Sequence, residues 1–152
     1  MALSLSAIRD ALADQINDAL QVSARAANVY PYPPDSPELH AVLIRPRAGS
    51  GEYVQFHQSF SSNVQGDGAL AGILLEIEVR VGGSDIDAAR AMDDYLSTAT
   101  DCSIINAVEA DRTLGGVIED CWIRAVSAPV RFFGDNREWL SATFELEAYE
   151  RR

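Results

Sequence analysis

The chain contains no lysine: its twelve basic residues are all arginine, set against twenty-three acids, for a formal charge of −11. Such a balance argues against gripping a phosphate backbone, which needs basic patches that displace counterions. Arginine throughout suits planar, bidentate ion pairs at subunit contacts; a GC-rich coding sequence is the simpler reading. Cysteine is scarce. Cys102 and Cys121 are too few for a disulfide scaffold and too far apart for a zinc knuckle, so both are expected to pack as small hydrophobes in a reducing cytoplasm. Histidine is limited to His40 and His57, without HxxH or HExxH spacing, which gives a metal site no support. Long apolar runs are missing too. The longest, Ala69 to Leu75, is far too short to span a bilayer, and Asp10 and Asp14 interrupt any signal-peptide pattern. No membrane partner is expected.

What is present supports one domain spanning 1–152, with 47% hydrophobic residues and a core burying roughly 68–70% of the unfolded surface. Leu5, Ile8, Leu12, Ile16, Ala19 and Leu20 recur at helical steps, with Ser4 or Ser6 as N-cap. Val29 to Pro37 carries four prolines and reads as a rigid connector. Leu39 to Arg45 and Tyr53 to Phe56 read as a hairpin across Ala48 to Gly51. The polar stretch His57 to Gly68 is long for an internal connection.

The clearest strand follows. Ile73, Leu75, Ile77, Val79 and Val81 alternate with Glu76, Glu78 and Arg80. Ser84 is expected to cap a second helix with Asp87 at the capping-box position. Ile86, Ala89, Met92, Tyr95 and Leu96 form its expected buried stripe, and Arg90 pairs Asp94 on its exposed side. Ser103 to Glu109 supplies further helical turns. Ile118 to Phe133 reads as a strand bent at Pro129, turned back at Gly134 to Asn136. In the last strand Leu140, Ala142, Phe144, Leu146 and Ala148 face inward, opposite Ser141, Thr143, Glu145 and Glu147. These elements predict an α+β fold: a single, mostly antiparallel mixed sheet with two main helices packed on one face.

Chemistry does not emerge from this pattern. There is no GxSxG elbow, no cysteine–histidine motif, no P-loop and no dinucleotide fingerprint. Asp93-Asp94 and Glu119-Asp120 are neighbours whose side chains point apart, so each reads as solvated charge. The expectation is no enzyme, no cofactor and no metal.

One stretch organises the second half: Asp111-Arg112-Thr113-Leu114-Gly115-Gly116, with Asp120 four residues beyond Gly116. Its glycines permit positive φ after a short helix, so the chain can reverse into a strand. This turn, with Met92-Asp93-Asp94-Tyr95-Leu96 before it and Trp139 to Glu147 after it, resembles the tail terminator proteins of long-tailed bacteriophages. The Val29-Tyr30-Pro31 exit from the first helix is similar as well. The resemblance implies a virion tail or neck protein assembled in the host cytoplasm. It implies a homohexameric ring that caps the tail tube, stops its polymerisation and joins the head. Its implied partners are the tail tube protein and a head-completion or connector protein, with DNA only in transit through the lumen.

Within that frame His57, Phe60, Val64, Gln65 and Asp67 are the expected assembly loop. Glu76, Glu78, Glu145 and Glu147 are expected to face solvent, lining the lumen or a subunit interface. Two alternatives stay open: a head-completion or stopper protein of the connector, and a small ligand-binding or enzymatic α+β domain.

Overall fold

The computed structural model describes residues 4–49, 51–57 and 70–151. Phe60, Val64, Gln65 and Asp67 of the expected assembly loop lie outside the described residues, as does the side chain of His57. Ten elements follow in order: α1 (Leu5–Gln21), β1 (Asn28–Tyr30), β2 (Ala41–Pro46), β3 (Val54–His57), β4 (Leu70–Gly82), α2 (Ile86–Leu96), α3 (Ile104–Glu109), β5 (Asp120–Val126), β6 (Val130–Gly134) and β7 (Arg137–Arg151). All seven strands form one mixed sheet in the order β1-β2-β4-β7-β5, with β3 also on β4 and β6 also on β7. The three helices share one core with the strands, so the expected α+β architecture holds, with α3 a short third helix.

Alternation explains the sheet. Ile73, Leu75, Ile77, Val79 and Val81 of β4 are fully buried, facing Ala142, Phe144, Leu146 and Ala148 of β7 through a thirteen-residue antiparallel ladder. Each large aliphatic side chain buried this way is worth ~1.5–3 kcal/mol. Against that face α1 lays Ile8, Leu12, Ile16 and Leu20, with Ser4 Oγ accepting the Ala7 N–H as cap. Gln15 reaches across from α1 and donates to the carbonyls of Ala107 and Val108, at 2.9 and 2.8 Å. Those carbonyls end α3 without intrahelical partners, so one amide both joins two helices and caps one.

Four sequence expectations are corrected. First, β2 and β3 are not a hairpin. Both run antiparallel to β4, β2 against Leu75–Arg80 and β3 against Leu70–Ile73, so they form one interrupted strand. The Arg47 N–H donates to the Leu74 carbonyl and the Leu74 N–H to that of Tyr53. The two ends of the intervening segment thus meet the same edge of β4 at one residue, Leu74. Second, Asn28 to Tyr30 is a strand, parallel to β2, rather than the start of a connector. Third, Asp85 and not Ser84 caps α2, accepting the Ala88 N–H at 2.9 Å. The buried stripe of α2 keeps the expected Met92 and Tyr95, with Leu96 packed partly against the core, but takes in Ala88 and Ala91 and leaves Ile86 71% exposed and Ala89 outward. Fourth, Asp94 pairs with Arg25 at 2.7 Å, not with Arg90. The bend at Pro129 is as expected: β5 and β6 lie along successive stretches of β7.

Candidate functional site

The turn after α3 is built by one side chain. The Asp111 carboxylate accepts the Thr113 N–H at 3.0 Å, the Thr113 hydroxyl at 2.7 Å and the Gly115 N–H at 2.9 Å. Hydrogen bonds from Thr113 and Gly115 hold its pKa below the ordinary aspartate value. Gly115 and Gly116 take φ of 71° and 90°, as the glycine pair suggests, and Leu114 joins them at 51° with its side chain buried. Arg112 then clamps Asp120 with two bonds of 2.7 Å and donates to the Cys121 carbonyl at 3.1 Å, fixing the entry to β5. Asp111, Thr113, Leu114, Gly115, Gly116 and Asp120 thus act together as a folding device. The Asp111, Thr113, Arg112 and Asp120 side chains thus bond within the turn or to the start of β5.

Cys102 and Cys121 are both free and buried. Burial pushes the Cys102 thiol up and the Cys121 thiol to about 12. A thiolate-specific reagent at pH 8 will therefore leave the folded protein unlabelled while labelling both sites in denaturant, and reductant will not shift the melting temperature. Rapid labelling of the native protein would mean the surrounding core opens readily.

The sheet face away from the helices carries the expected lumen acids, two of which are not solvated charges. Glu76 and Glu78 are buried at 7% and 5% exposure. Arg45, one strand over, donates from Nε to Glu76 at 2.5 Å and from Nη1 to Glu78 at 2.6 Å. Arg80 adds bonds of 3.0 and 3.1 Å to Glu78, and the Ser141 hydroxyl donates to it at 2.5 Å. Burial raises the Glu78 pKa, yet the bonds from Arg80 and Ser141 and the charge of Arg45 outweigh it, leaving the carboxyl below its ordinary value.

Glu147 is half-buried between Arg47 at 3.7 Å and Arg124 at 3.3 Å. Arg124 reaches it from a bulge, the one residue of β5 skipped between the Ile123–Leu146 and Ala125–Glu145 pairs. Glu145 is partly exposed and lines a hollow of about 330 Å³ with Glu76, Thr143 and Ala125–Ser127. The solvent-facing placement is thus corrected for Glu76 and Glu78. Alternation distinguishes the two faces of a strand but does not reveal that arginines of adjacent strands lie across the polar one.

Another acid is placed differently. Glu150, 2% exposed, has no hydrogen-bond partner for either carboxylate oxygen among the described residues. Burial, with the neighbouring charge of Glu119, raises its pKa. A raised glutamate pKa means the folded state holds a proton the unfolded state has released, so this group weakens stability as pH rises above the ordinary value. Glu150→Gln will raise the melting temperature at pH 7, with the gain vanishing below about pH 4. An unchanged melting temperature at both pH values would show the carboxylate is solvated in solution.

Among the described residues, no further strand pairs with either border of the sheet. At one, α1 and β1 enclose a groove of about 630 Å³, with Asp10, Asp14 and Asn17 on the helix side and Ala26 to Pro31 opposite. At the other, Val126, Val130, Phe132 and Phe133 are exposed, Phe133 by 72%. Phe132 stacks on Trp139, ring centroids 5.9 Å apart. In the sequence these residues fall within the bent strand, and their residue types alone do not mark a surface. The run Val-Arg-Phe-Phe lacks clean alternation, and that was the available signal.

Among the described residues no three His, Cys, Asp or Glu side chains cluster as a metal would require, and no helix is long and apolar enough to cross a membrane. His40 accepts the Gly82 N–H at Nδ1 at 3.1 Å, tying β4 to the loop before β2, and burial lowers its pKa. Neither the family models nor the curated proteins compared with this chain yield a match.

Proposed function

We propose that this chain is a ring-forming virion assembly subunit of the tail-terminator kind, which caps a phage tail tube, halts its polymerisation and forms the joint with the head. The observation that carries the reading is the pair of open sheet borders, one lined by exposed Val126, Val130, Phe132 and Phe133. Apolar residues on an unpaired edge invite uncontrolled strand pairing, and proteins ordinarily blunt or cover such edges. A closed ring covers them by using them. The balanced outer face fits a passage for DNA: Arg45, Arg80, Arg47 and Arg124 answer Glu76, Glu78 and Glu147 within the chain, so phosphates would meet neither a strong trap nor a strong barrier.

Native mass spectrometry across a concentration series tests the proposal. One discrete closed oligomer is expected, alone or on addition of tail tubes, and tubes mixed with it should stop elongating. A chain that stays monomeric and leaves tube growth unchanged would overturn it. Capping of isolated connectors in preference to tubes would move the protein to the stopper layer of the neck.

A further inference from the structure

Resting on the ring proposed above, we infer that its subunits join by strand addition: β6 of one copy enters the groove between α1 and β1 of the next. The backbone of each border fits this. The Asn28 N–H donates to the His40 carbonyl at 2.9 Å. Alternate residues of a parallel strand face the same neighbour, so Val29, one residue on, directs its N–H and C=O into the groove. On the other border Gly134 pairs with Arg137 across a two-residue turn, Asp135 and Asn136, both at positive φ. In such a turn the closing pair is hydrogen bonded. The bonded positions are therefore Val130, Phe132 and Gly134, and the backbone of Arg131 and Phe133 is turned outward.

Polarity and facing agree as well. β1 is parallel to β2, β2 antiparallel to β4, β4 to β7 and β7 to β6. β6 therefore runs opposite to β1, and two copies aligned head to tail with the same face up bring these strands together antiparallel. Arg131 pairs with Leu140, on the helix-covered face. In the groove of the next copy it lies on the α1 side, where Asp10 and Asp14 are exposed. Phe133 shares that face and slides beneath the same helix. Cation meets anions, and the most exposed aromatic residue is covered. The contact joins different surfaces of the two copies, so it repeats around a ring until the last border meets the first.

The test is a charge swap. Arg131→Glu should raise the concentration for half-assembly about tenfold or more, as loss of a buried interfacial pair does, and Asp10→Arg with Asp14→Arg should do the same. The triple variant should assemble as the parent does. Independently of any effect of these changes on folding, a chain carrying Asp14→Cys and Arg131→Cys should oxidise into a ladder of covalent oligomers ending at the native ring size. If the parent forms rings while Arg131→Glu assembles normally and the cysteine pair never links copies, this contact is wrong and the ring stands. If the parent never associates, with or without tail tubes, both fall.

Discussion

Replacing Arg45 by methionine will destabilise the protein by about 2–4 kcal/mol at pH 7, measured by urea unfolding. Removing one member of a buried ion pair costs about 3–5 kcal/mol because the abandoned charge keeps its desolvation penalty. Arg45 is itself one-third exposed, and solvent will relieve part of that cost. The damage falls first on Glu76, for which Arg45 is the bonded partner; Glu78 keeps Arg80 and Ser141. The pH dependence follows from the lowered Glu78 pKa. A depressed carboxylate stabilises the fold fully above its ordinary pKa and stops doing so as pH falls through the folded value. The gap between parent and variant should thus be widest at neutral pH and narrow in acid. Arg45→Lys should recover only part of the loss, since an ammonium lacks the planar fork that spans two carboxylates. Equal stability of parent and methionine variant at pH 7 would show that water, not Arg45, satisfies these acids.

That ladder also marks the boundary of what a sequence discloses. Strict alternation in β4 and β7 identified the core positions, because a strand with one buried face leaves its period in the residue types. The same pattern could not tell solvated glutamates from glutamates crossed by arginines of neighbouring strands, since ion pairing across a sheet is set by long-range register. The error over β2 and β3 has the same origin. A glycine-rich turn between two short apolar runs is the local sign of a hairpin, and here both runs instead pair with β4, which lies further along the sequence. β1 went unseen because three residues ahead of a proline carry no period. On α2 the competing caps Ser84 and Asp85 are adjacent, and both residue types accept an N–H at a helix start, so local sequence does not choose between them.

The candidate surfaces were less legible still. The Asp111 turn was read correctly as architecture, because positive φ at paired glycines is a local requirement. The groove and the apolar border could not be read, because an edge is defined by what fails to pair with it. Only the strand order shows that β1 and β5–β6 are outermost.

The strand at one of those borders depends on a residue that the helical pattern of α1 did not flag. Arg9 is 6% exposed and has no carboxylate partner among the described residues. Its Nε donates to the Pro31 carbonyl at 2.8 Å and its Nη2 to the Ile44 carbonyl at 2.6 Å, with the guanidinium 4.0 Å from the Tyr32 ring centroid. It therefore fastens α1 to β2 and to the chain leaving β1. A hydrogen bond from a charged donor is worth about 1.5–3 kcal/mol, and a partly desolvated cation–π contact ~0.5–2 kcal/mol. Arg9→Met keeps the apolar stem and forfeits all three contacts, while sparing the cost of burying a charge, so a net loss of about 2–4 kcal/mol is expected. The loss should be local before it is global. In hydrogen exchange the Asn28 and Tyr30 amides, which pair β1 to β2, should lose protection while the centre of β4 keeps its own. Assembly should weaken more than stability does, because the groove that receives β6 loses its β1 wall. Unchanged protection at Asn28 and Tyr30 would show that the β1–β2 ladder holds that border without Arg9.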